Sequence, residues 1–414
     1  MSKTTIIGGG IIGLFSAYYL HKAGWEVEIL EQGSLSDNAS FGNAGMIVPS
    51  HFIPLAAPGM IEQGIRWMFD SKSPFYVKPS LNPELIGWGL KFLKAANKKH
   101  VERSAVALRD FSLLSKKLYQ DFDKAAGFDF GLEDKGILML YKTAKFEEEE
   151  HHTAEKARTL GLDAQNLTAD EVRALQPDID LDVLGAVLYH CDAHLYPNKL
   201  VAGLVKYLEA AGVKIHRNTT VTHIGHDYGK VVSVQSNDKS FKADKYLIAG
   251  GAWSPAIAKL AGLYVPLMPG KGYSFMVDEP QKRMSIPALL CEARVSVTPM
   301  NGNIRFGGTM EIGKVNDKIN MNRVAGIVES IPKYFPGFKP AIPQVKDIWY
   351  GFRPCSPDGL PYIGTSAKYS NVAIATGHGM MGLSLAPATG KLIEEVLNEK
   401  QVSVNIDQFS PNRY

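Results

Sequence analysis

The sequence contains little cysteine and carries little net charge, and both shortages exclude whole classes of protein. Its three cysteines, Cys191, Cys291 and Cys355, lie far apart and form no Cys-x-x-Cys pair. We therefore expect free thiols in a reducing compartment, without a disulfide framework or a zinc site. The 45 basic and 42 acidic residues leave a net charge of only +3, which gives no sign of a nucleic-acid partner.

The sequence also lacks a hydrophobic run of the roughly 20 residues that a membrane-spanning helix needs. The apolar stretch from Ile6 to Leu20 contains four glycines and no small-residue cleavage site, which argues against a secretory signal. We therefore expect a cytoplasmic protein. A set of lysines recurs at near-helical spacing and predicts a solvated helix face, with peripheral contact to anionic lipid on the inner face of the membrane as the alternative. These lysines are Lys91, Lys94, Lys98 and Lys99.

Two groups of residues have side chains that can ligate metals, but neither predicts a metal site. His151 and His152 are adjacent in a charged helical stretch, so they cannot point the same way. His190, Cys191 and Asp192 crowd a loop shortly before Tyr196-Pro197 together with His194. Residue types alone do not make a site, so turn and packing roles are favoured there.

What the sequence does contain is a dinucleotide-binding fingerprint at its start. An apolar run leads into Gly8-Gly9-Gly10-Ile11-Ile12-Gly13, and a second apolar run ends at Glu31. Gly8 permits a tight turn, Gly10 permits close approach to a pyrophosphate, and Gly13 lets the following helix lie close to the sheet. Glu31 follows eighteen residues after Gly13, where an acid accepts hydrogen bonds from an adenosine ribose. The alternative is an ordinary turn in an α/β protein.

A second glycine-rich turn lies near the other end of the chain. The predicted strand from Val372 to Ala375 leads into Gly377-His378-Gly379-Met380-Met381-Gly382, and a helix is predicted from Leu383 to about Leu397. A helix start presents amide donors and partial positive charge to an anionic group. The predicted strand from Lys245 to Ala249 likewise runs into glycines, which permits close approach to a nucleotide. Turns at both ends of the chain predict one long ligand bound at two places.

The combination of these motifs resembles the FAD-dependent D-amino-acid oxidase family over nearly the full chain. The residues that carry the resemblance are the fingerprint with Glu31, the segment from Gly351 to Gly364 and the segment from Gly377 to Gly390. Within that family, the loop from Asn38 to Met46 is most similar to bacterial D-amino-acid dehydrogenase small subunits and their hydroxyproline-oxidising relatives. The segment from Leu385 to Gly390 is equally similar to glycine oxidase.

The resemblance implies an α/β fold with two domains, as the length of 414 residues also suggests. Residues 1–80, 193–258 and 350–414 are predicted to form a FAD-binding, Rossmann-like domain of the glutathione-reductase type from discontinuous segments. Residues 81–192 and 259–349 are predicted to form an α+β substrate-binding domain. Short alternating strands between Pro266 and Trp349 favour an antiparallel sheet there.

The resemblance implies non-covalent FAD, because Cys355 does not stand where the sarcosine-oxidase branch attaches its flavin. The ADP would lie on the fingerprint, Val221 would lie near the adenine, and Gly250 and Trp253 would close over the nucleotide. The loop from Ser40 to Met46 would contact the ribityl chain and the isoalloxazine ring. The implied FAD-binding residues are Gly8, Gly10, Ile11, Ile12, Gly13, Glu31, Gln32, Ser40, Asn43, Ala44, Gly45, Met46, Val221, Gly250, Trp253, Gly379, Met380, Met381, Gly382 and Leu383.

Arg353 and Tyr273 are the implied catalytic residues. Arg353 matches the family arginine that binds the substrate carboxylate, and a planar guanidinium can bind a carboxylate bidentately. The alternative for Arg353 is a structural ion pair with a core acid. Family members commonly add a tyrosine hydroxyl to that carboxylate, for which Tyr273 is the candidate and Tyr350 the competitor.

The implied activity is oxidative deamination of a small neutral or cyclic amino acid, either a D-amino acid or a hydroxy-D-proline. A hydride passes from Cα to flavin N5, which gives an imino acid and then a 2-oxo acid. Met380 and Met381 stand where some glycine-oxidising relatives carry an arginine, which favours a neutral substrate. No protein base is nominated. The electron acceptor is either a quinone or O2, and the alternatives are a glycine- or sarcosine-type amine oxidase and a flavin monooxygenase.

Overall fold

The computed structural model describes residues 1–36, 38–60, 62, 64, 67, 70–77, 81–237, 239–278 and 283–414. The stretch from Phe52 to Phe92 is rich in aromatic residues and proline, and its residues Met68, Phe69 and Pro79 lie outside the described residues. The helices in the described ranges are α1 (Ile11–Lys22), α2 (Pro83–Ala95), α3 (Lys98–Ala125), α4 (Ala144–Thr159), α5 (Ala169–Leu175), α6 (Pro197–Ala210), α7 (Ser254–Leu260), α8 (Met321–Tyr334) and α9 (Ala386–Leu397).

The first sheet is the one that the fingerprint predicts. Its strands run parallel except for one antiparallel edge strand, in the order β19-β20-β13-β1-β2-β9. Helices can cover both faces of such a sheet, and its inner strands are accordingly buried, including the polar side chains of Thr4, Thr5 and Glu28. The strands are β1 (Lys3–Ile7), β2 (Glu26–Leu30), β9 (Lys214–His216), β13 (Lys245–Ile248), β19 (Tyr362–Thr365) and β20 (Val372–Thr376).

The second sheet is mainly antiparallel, as the alternating strands predict. Its order is β18-β14-β17-β16-β15-β5-β7-β6, and β4 pairs with β17 off this path. The strands are β4 (Phe75–Val77), β5 (Ile137–Tyr141), β6 (Ala164–Thr168), β7 (Gly185–Tyr189), β14 (Met268–Val277), β15 (Ala288–Leu290), β16 (Val295–Met300), β17 (Asn303–Ile312) and β18 (Ile348–Cys355).

Two smaller sheets are also present among the described residues. β3 (Met46–Ile47) pairs with β8 (Ala193–His194), which ties the predicted flavin loop to the middle of the chain. β10 (His223–Asp227), β11 (Lys230–Ser236) and β12 (Lys239–Phe241) form a meander. No helix within the described ranges is long and apolar enough to cross a bilayer.

The domain boundaries stay a prediction, and the observed packing differs from them in three elements. β4 pairs with β17 and β18 pairs with β14, so both strands belong to the second sheet. Residues 1–80, which include β4, and most of β18 are nevertheless predicted to belong to the FAD-binding domain. α3, predicted for the substrate domain, packs against α1, with Tyr119 and Phe122 edge-on to Phe15. The domain to which each of these elements belongs is decided by partners that are distant in the chain. The local sequence does not encode those partners.

Helices α1 and α9 cross closely, and this crossing brings the two glycine-rich turns together. A Cβ atom on Gly390 would lie 2.5 Å from the backbone of Phe15. Only glycine therefore permits the two helices to lie this close together. The turn that precedes each helix therefore lies at the same end of the first sheet.

Candidate active site

A cavity of about 1100 Å³ is lined by residues of both large sheets. This volume slightly exceeds the usual range of about 300–1,000 Å³ for small-molecule sites, so the cavity has room for a large cofactor together with a small substrate. Both the fingerprint turn and the terminal glycine turn lie on its wall. The structure thus supports one ligand bound at two places.

The cavity brings together the predicted site residues with two exceptions. A Cβ on Gly13 would lie 2.0 Å from the carbonyl oxygen of Gly8, and a Cβ on Gly45 would lie 2.2 Å from that of Leu195, so both glycines shape their turns from behind. The predicted residues on the wall are Gly8, Gly10, Ile11, Ile12, Glu31, Gln32, Ser40, Asn43, Ala44, Met46, Val221, Gly250, Trp253, Tyr273, Arg353, Gly379, Met380, Met381, Gly382 and Leu383.

The fingerprint turn leaves a helix start open toward the cavity. No atom lies within 4 Å of the position that a Cβ on Gly10 would take, and the first turn of α1 contains no acidic residue. The hydroxyl of Ser40 accepts the Ile11 N–H at 3.2 Å. An open helix start of this kind fits a pyrophosphate, because its amide groups and dipole favour an anion.

Glu31 is fixed at the end of β2 beside this helix start. Its carboxylate accepts the backbone N–H of Gly9 at 2.6 Å and that of Gly33 at 2.7 Å. A carboxylate can accept up to about four hydrogen bonds. Glu31 therefore keeps acceptor capacity for the ribose hydroxyls of an adenosine.

The terminal turn differs from the predicted helix start. Residues Gly379–Met381 form a short 3-10 turn, and α9 begins only at Ala386, three residues after the predicted start at Leu383. Pro387 lies in the first turn of α9, where its missing N–H costs no intrahelical hydrogen bond. The amides on the cavity wall therefore belong to the turn before the helix.

Arg353 lies half-buried on β18 at the cavity wall. Its Nη1 donates to the carbonyl oxygen of Thr309 at 2.7 Å, and no acidic side chain in the described ranges forms an ion pair with it. The predicted alternative, a structural ion pair with a core acid, is therefore not observed among these residues. Burial lowers the pKa of Arg353, so an anionic ligand would compensate a charge that the fold leaves unpaired.

Tyr273 and Arg353 do not point to the same place, which corrects the prediction that both bind one carboxylate. Tyr273 pairs directly with Tyr350 across β14 and β18, and Arg353 follows Tyr350 by three positions, so its side chain lies on the opposite face of the sheet. The Tyr273 hydroxyl donates to Glu311 at 2.7 Å, and the Tyr350 hydroxyl donates to Asp317 at 3.1 Å. Side-chain alternation along the strand decides this outcome.

One transverse row of the second sheet forms the floor of the cavity on the face that carries Arg353. Neighbouring residues of the row pair in register across six strands. Small residues in the middle of the row leave depth between a tryptophan at one end and a methionine at the other. The row consists of Trp349, Ser274, Gly307, Ser296, Leu289 and Met139.

Sequence reasoning missed Arg305, which fixes the predicted flavin loop. Its Nη1 donates to the carbonyl oxygens of Phe41 at 3.1 Å and Asn43 at 2.7 Å. The Ser274 hydroxyl donates to the carbonyl oxygen of Gly42 at 2.7 Å. Burial lowers the pKa of Arg305 to about 10. The signal in the sequence was an arginine between the apolar residues Ile304 and Phe306 of a predicted strand.

Arg294 is a second guanidinium on the cavity wall that the sequence did not single out. Within the part of the chain that the structure describes, it makes no hydrogen bond or ion pair, and its guanidinium carbon lies 5.6 Å from the ring centroid of Phe146. The cavity is therefore not uniformly apolar, although Met380 and Met381 line it as expected.

A hydrogen-bonded chain connects the cavity to a buried carboxylate. His51 lines the cavity, its Nδ1 lies 3.1 Å from the hydroxyl oxygen of Ser50, and that hydroxyl donates to Asp192 at 2.6 Å. Asp192 is fully buried. Sequence reasoning favoured a turn or packing role for Asp192 and did not consider His51. No metal-ligating cluster of three or more residues occurs among those described.

The fold has a parallel sheet with a nucleotide-binding turn, a second sheet, and an arginine in the cavity that has no acidic partner among the described residues. These features define a dinucleotide-dependent oxidoreductase. The chain belongs to the DAO family of FAD-dependent oxidoreductases, whose model matches residues 3–396. The predictions of this family, of an oxidoreductase and of FAD as its cofactor are confirmed.

The similar proteins cover essentially the whole chain. D-amino acid dehydrogenase from Helicobacter pylori is 29% identical over 409 residues, 97% of each chain. D-amino acid dehydrogenase from Methylobacterium sp. (strain 4-46) is 28% identical over 428 residues, 100% of this chain and 99% of that one. The crystal structure of glycine oxidase from Geobacillus kaustophilus covers 100% of both chains with a TM-score of 0.80 and 23% identity. L-proline dehydrogenase from P. horikoshii covers 100% of this chain and 97% of that one, with a TM-score of 0.77 and 20% identity. These structures confirm the predicted α/β fold class.

Proposed function

We propose that this protein is a FAD-dependent dehydrogenase that oxidatively deaminates a small D-amino acid. The single structural observation that carries the proposal is Arg353, a half-buried guanidinium on the cavity wall that has no acidic partner in the described part of the chain. The relatives named D-amino acid dehydrogenase support the reaction class.

The residues around the cavity fit non-covalent FAD. The open start of α1 would bind the pyrophosphate, Glu31 the ribose, and the turn at Gly379–Leu383 the pyrimidine side of the ring. Cys355 is buried away from the cavity wall, and burial raises the pKa of its thiol to about 12. A neutral thiol is a poor nucleophile, which supports dissociable flavin. When bound, FAD supplies a hydride acceptor at its N5.

Arg353 would bind the substrate α-carboxylate with two parallel N–H groups and so fix the direction of the Cα–H bond. Gly307 and Ser274 on the floor of the cavity would leave room for the amino acid there. Arg305 would hold the loop around Gly42 in place, because its hydrogen bonds immobilise the loop carbonyl groups. The imino acid product would hydrolyse to a 2-oxo acid and ammonia, whereas a cyclic substrate would leave as an imine.

The apolar part of the lining favours a neutral or cyclic side chain, including a hydroxy-D-proline. Met380, Met381 and Met139 supply this surface. Arg294 favours a second candidate substrate class, a D-amino acid with an acidic side chain. A guanidinium that has no ion pair in the described ranges would compensate the second carboxylate of such a substrate.

We further propose a quinone as the electron acceptor and peripheral contact with an anionic membrane. Helix α2 exposes Ile86, Leu90 and Leu93 at 48%, 62% and 52%, at spacings that place them on one face. Lys91 and Lys94 lie beside them. An exposed apolar stripe with adjacent lysines is typical of a helix that lies in a membrane interface.

An anaerobic titration of the purified holoenzyme tests the proposal. The panel contains D-alanine, D-proline, cis-4-hydroxy-D-proline, D-glutamate, L-proline, glycine and sarcosine, and the flavin absorbance is recorded. We expect bleaching by at least one D-amino acid or hydroxy-D-proline, followed by faster reoxidation with a soluble quinone than with O2. Absence of bleaching by every D-amino acid and cyclic acid would contradict the substrate class.

A further inference from the structure

We propose that His51, Ser50 and Asp192 form a proton relay that deprotonates the ammonium group of the substrate before hydride leaves Cα. This inference rests on the proposed amino acid oxidation. It assigns a base to a reaction for which the sequence offered none, and it makes His51 the residue that contacts the substrate nitrogen.

The hydrogen bonds of the relay fix the direction of each proton. Asp192 is 0% exposed, and its two carboxylate oxygens accept the Ser50 N–H at 2.9 Å and the Ser50 hydroxyl at 2.6 Å. Because the single hydroxyl proton of Ser50 points to Asp192, the hydroxyl oxygen must accept from Nδ1 of His51 at 3.1 Å. This tautomer leaves a lone pair on Nε2 of His51, and His51 is one of the residues that line the cavity.

The reaction needs a proton acceptor because a free amino acid carries an ammonium group near neutral pH. Loss of hydride from Cα is assisted by the nitrogen lone pair, and an ammonium group has no lone pair to offer. Arg353 and Arg294 both line the cavity, and their positive charges disfavour a bound ammonium group. The neutral amine is therefore the form of the substrate nitrogen that this cavity favours.

The transfer balances without any further reagent. One N–H bond of the ammonium group breaks, its electron pair stays on nitrogen, and the proton bonds to Nε2 of His51. The Nδ1 proton of His51 passes to the Ser50 oxygen, while the original hydroxyl proton of Ser50 passes to Asp192. The ammonium group becomes an amine, the Asp192 carboxylate becomes a carboxylic acid, and His51 ends neutral in its other tautomer.

The charges around the relay favour this outcome. Burial and the facing Arg294 lower the pKa of His51 to about 4, so the ring stays neutral and only transmits the proton. Burial raises the pKa of Asp192 to about 7, although hydrogen bonds from Ser50 and Cys191 and the charge of Lys116 oppose this shift. Asp192 is therefore a stronger base than an ordinary carboxylate and is the group on which the proton comes to rest.

The test compares rates of anaerobic flavin reduction across a pH series for three holoenzymes. Ser50→Ala removes the hydroxyl oxygen but keeps the backbone N–H bond to Asp192, and His51→Gln removes the transferring ring. His190→Gln is the matched control, because His190 is exposed on the loop of Asp192 and its side chain bonds only to Gln165 among the described residues. The substrate is the amino acid of the panel that reduces the wild-type flavin fastest.

We expect the Ser50→Ala and His51→Gln enzymes to reduce their flavin about 10- to 100-fold more slowly near neutral pH. The deficit should vanish above the pKa of the free substrate's ammonium group, because the substrate then binds as the amine. Ser50→Thr should restore the wild-type pH profile, since it returns the hydroxyl. His190→Gln should match the wild type at every pH.

Two results would overturn the relay. One is a wild-type pH profile in the Ser50→Ala enzyme. The other is a deficit of equal size at all pH values, which would indicate a structural role. If His51→Gln fails to fold or to retain FAD, Ser50→Ala alone decides. If no amino acid bleaches even the wild-type flavin, the proposed function fails and the relay with it, whereas bleaching with an unchanged variant profile refutes the relay only.

Discussion

Gly272 lies directly against the guanidinium of Arg353, and a Cβ on Gly272 would lie only 2.1 Å from Nη1. Gly272→Ala should therefore displace Arg353 from the carbonyl oxygen of Thr309. We expect KM for the amino acid to rise about tenfold or more, equivalent to about 1.4 kcal/mol, with unchanged flavin content. Steady-state kinetics measure this, and Gly89→Ala, whose Cβ would meet no atom within 4 Å, is the control. An unchanged KM would show that Arg353 does not position the substrate.

Arg353→Lys should lose most of the activity although it keeps the positive charge. A lysine ammonium cannot form the two parallel hydrogen bonds that a guanidinium makes with a carboxylate. We expect kcat/KM to fall on the order of 100-fold, and to fall further in Arg353→Met, which removes the charge as well. Equal kinetics for the lysine variant and the wild type would contradict a bidentate contact.

Glu31→Gln should weaken FAD binding without affecting the fold. The glutamine side chain has one acceptor oxygen, whereas Glu31 uses both oxygens for the N–H groups of Gly9 and Gly33. Its amide nitrogen would then face a backbone donor. We expect the Kd for FAD to rise about tenfold, measured by flavin fluorescence after deflavination. Glu26→Gln, at the exposed start of the same strand, should bind FAD as the wild type does.

Arg294→Leu should change substrate preference more than overall activity. The wild-type guanidinium has no ion pair in the described ranges, and its charge only partly opposes the burial that raises the pKa of Glu150. We expect the ratio of kcat/KM for D-glutamate to that for D-alanine to fall at least about tenfold. A constant ratio would exclude Arg294 from contact with the substrate side chain.

Asp192→Asn should alter the pH dependence of stability in a defined direction. Burial raises the pKa of Asp192 from its ordinary 3.8 to about 7, so the folded state binds more protons than the unfolded state between these values. The corresponding stabilisation is complete below the ordinary value and is lost as pH rises through about 7. The free energy of unfolding of the wild type should fall relative to Asp192→Asn by up to about 1.4 kcal/mol per pH unit in this window.

Urea unfolding at several pH values across that window measures this difference for Asp192→Asn. Because both proteins share every other titrating group, the subtraction isolates Asp192. A difference that stays constant with pH would show that the carboxylate titrates normally in the folded protein.

The fingerprint was the part of the site most readable from sequence. The glycine positions and Glu31 are set by local backbone sterics and by the spacing of one strand-helix-strand unit, which a linear pattern records. The predicted start of the terminal helix was wrong, because the helix begins at Ala386 and not at Leu383. Pro387 favours the first turn of a helix, so the sequence already contained a signal for the later start.

The positions of the other residues that were misjudged or missed depend on contacts between distant segments. The opposite orientation of Tyr273 and Arg353 follows from the register between β14 and β18. Arg294 and Arg305 reach the cavity wall and the flavin loop only because β16 and β17 stand where they do in the second sheet. Register and sheet order depend on contacts between segments far apart in the chain, so no window of residues contains them.

The sequence by itself determined the nucleotide-binding turn, the parallel strands around it and the family, because short-range sterics and hydrophobic periodicity act between near neighbours. Only the tertiary structure decided what the cavity contains. Ser50 and Asp192 are separated by 142 positions, and they meet because β3 pairs with β8. Side chains from distant segments come together only when the whole core packs, since that packing alone fixes their mutual distance and shields their charges from water.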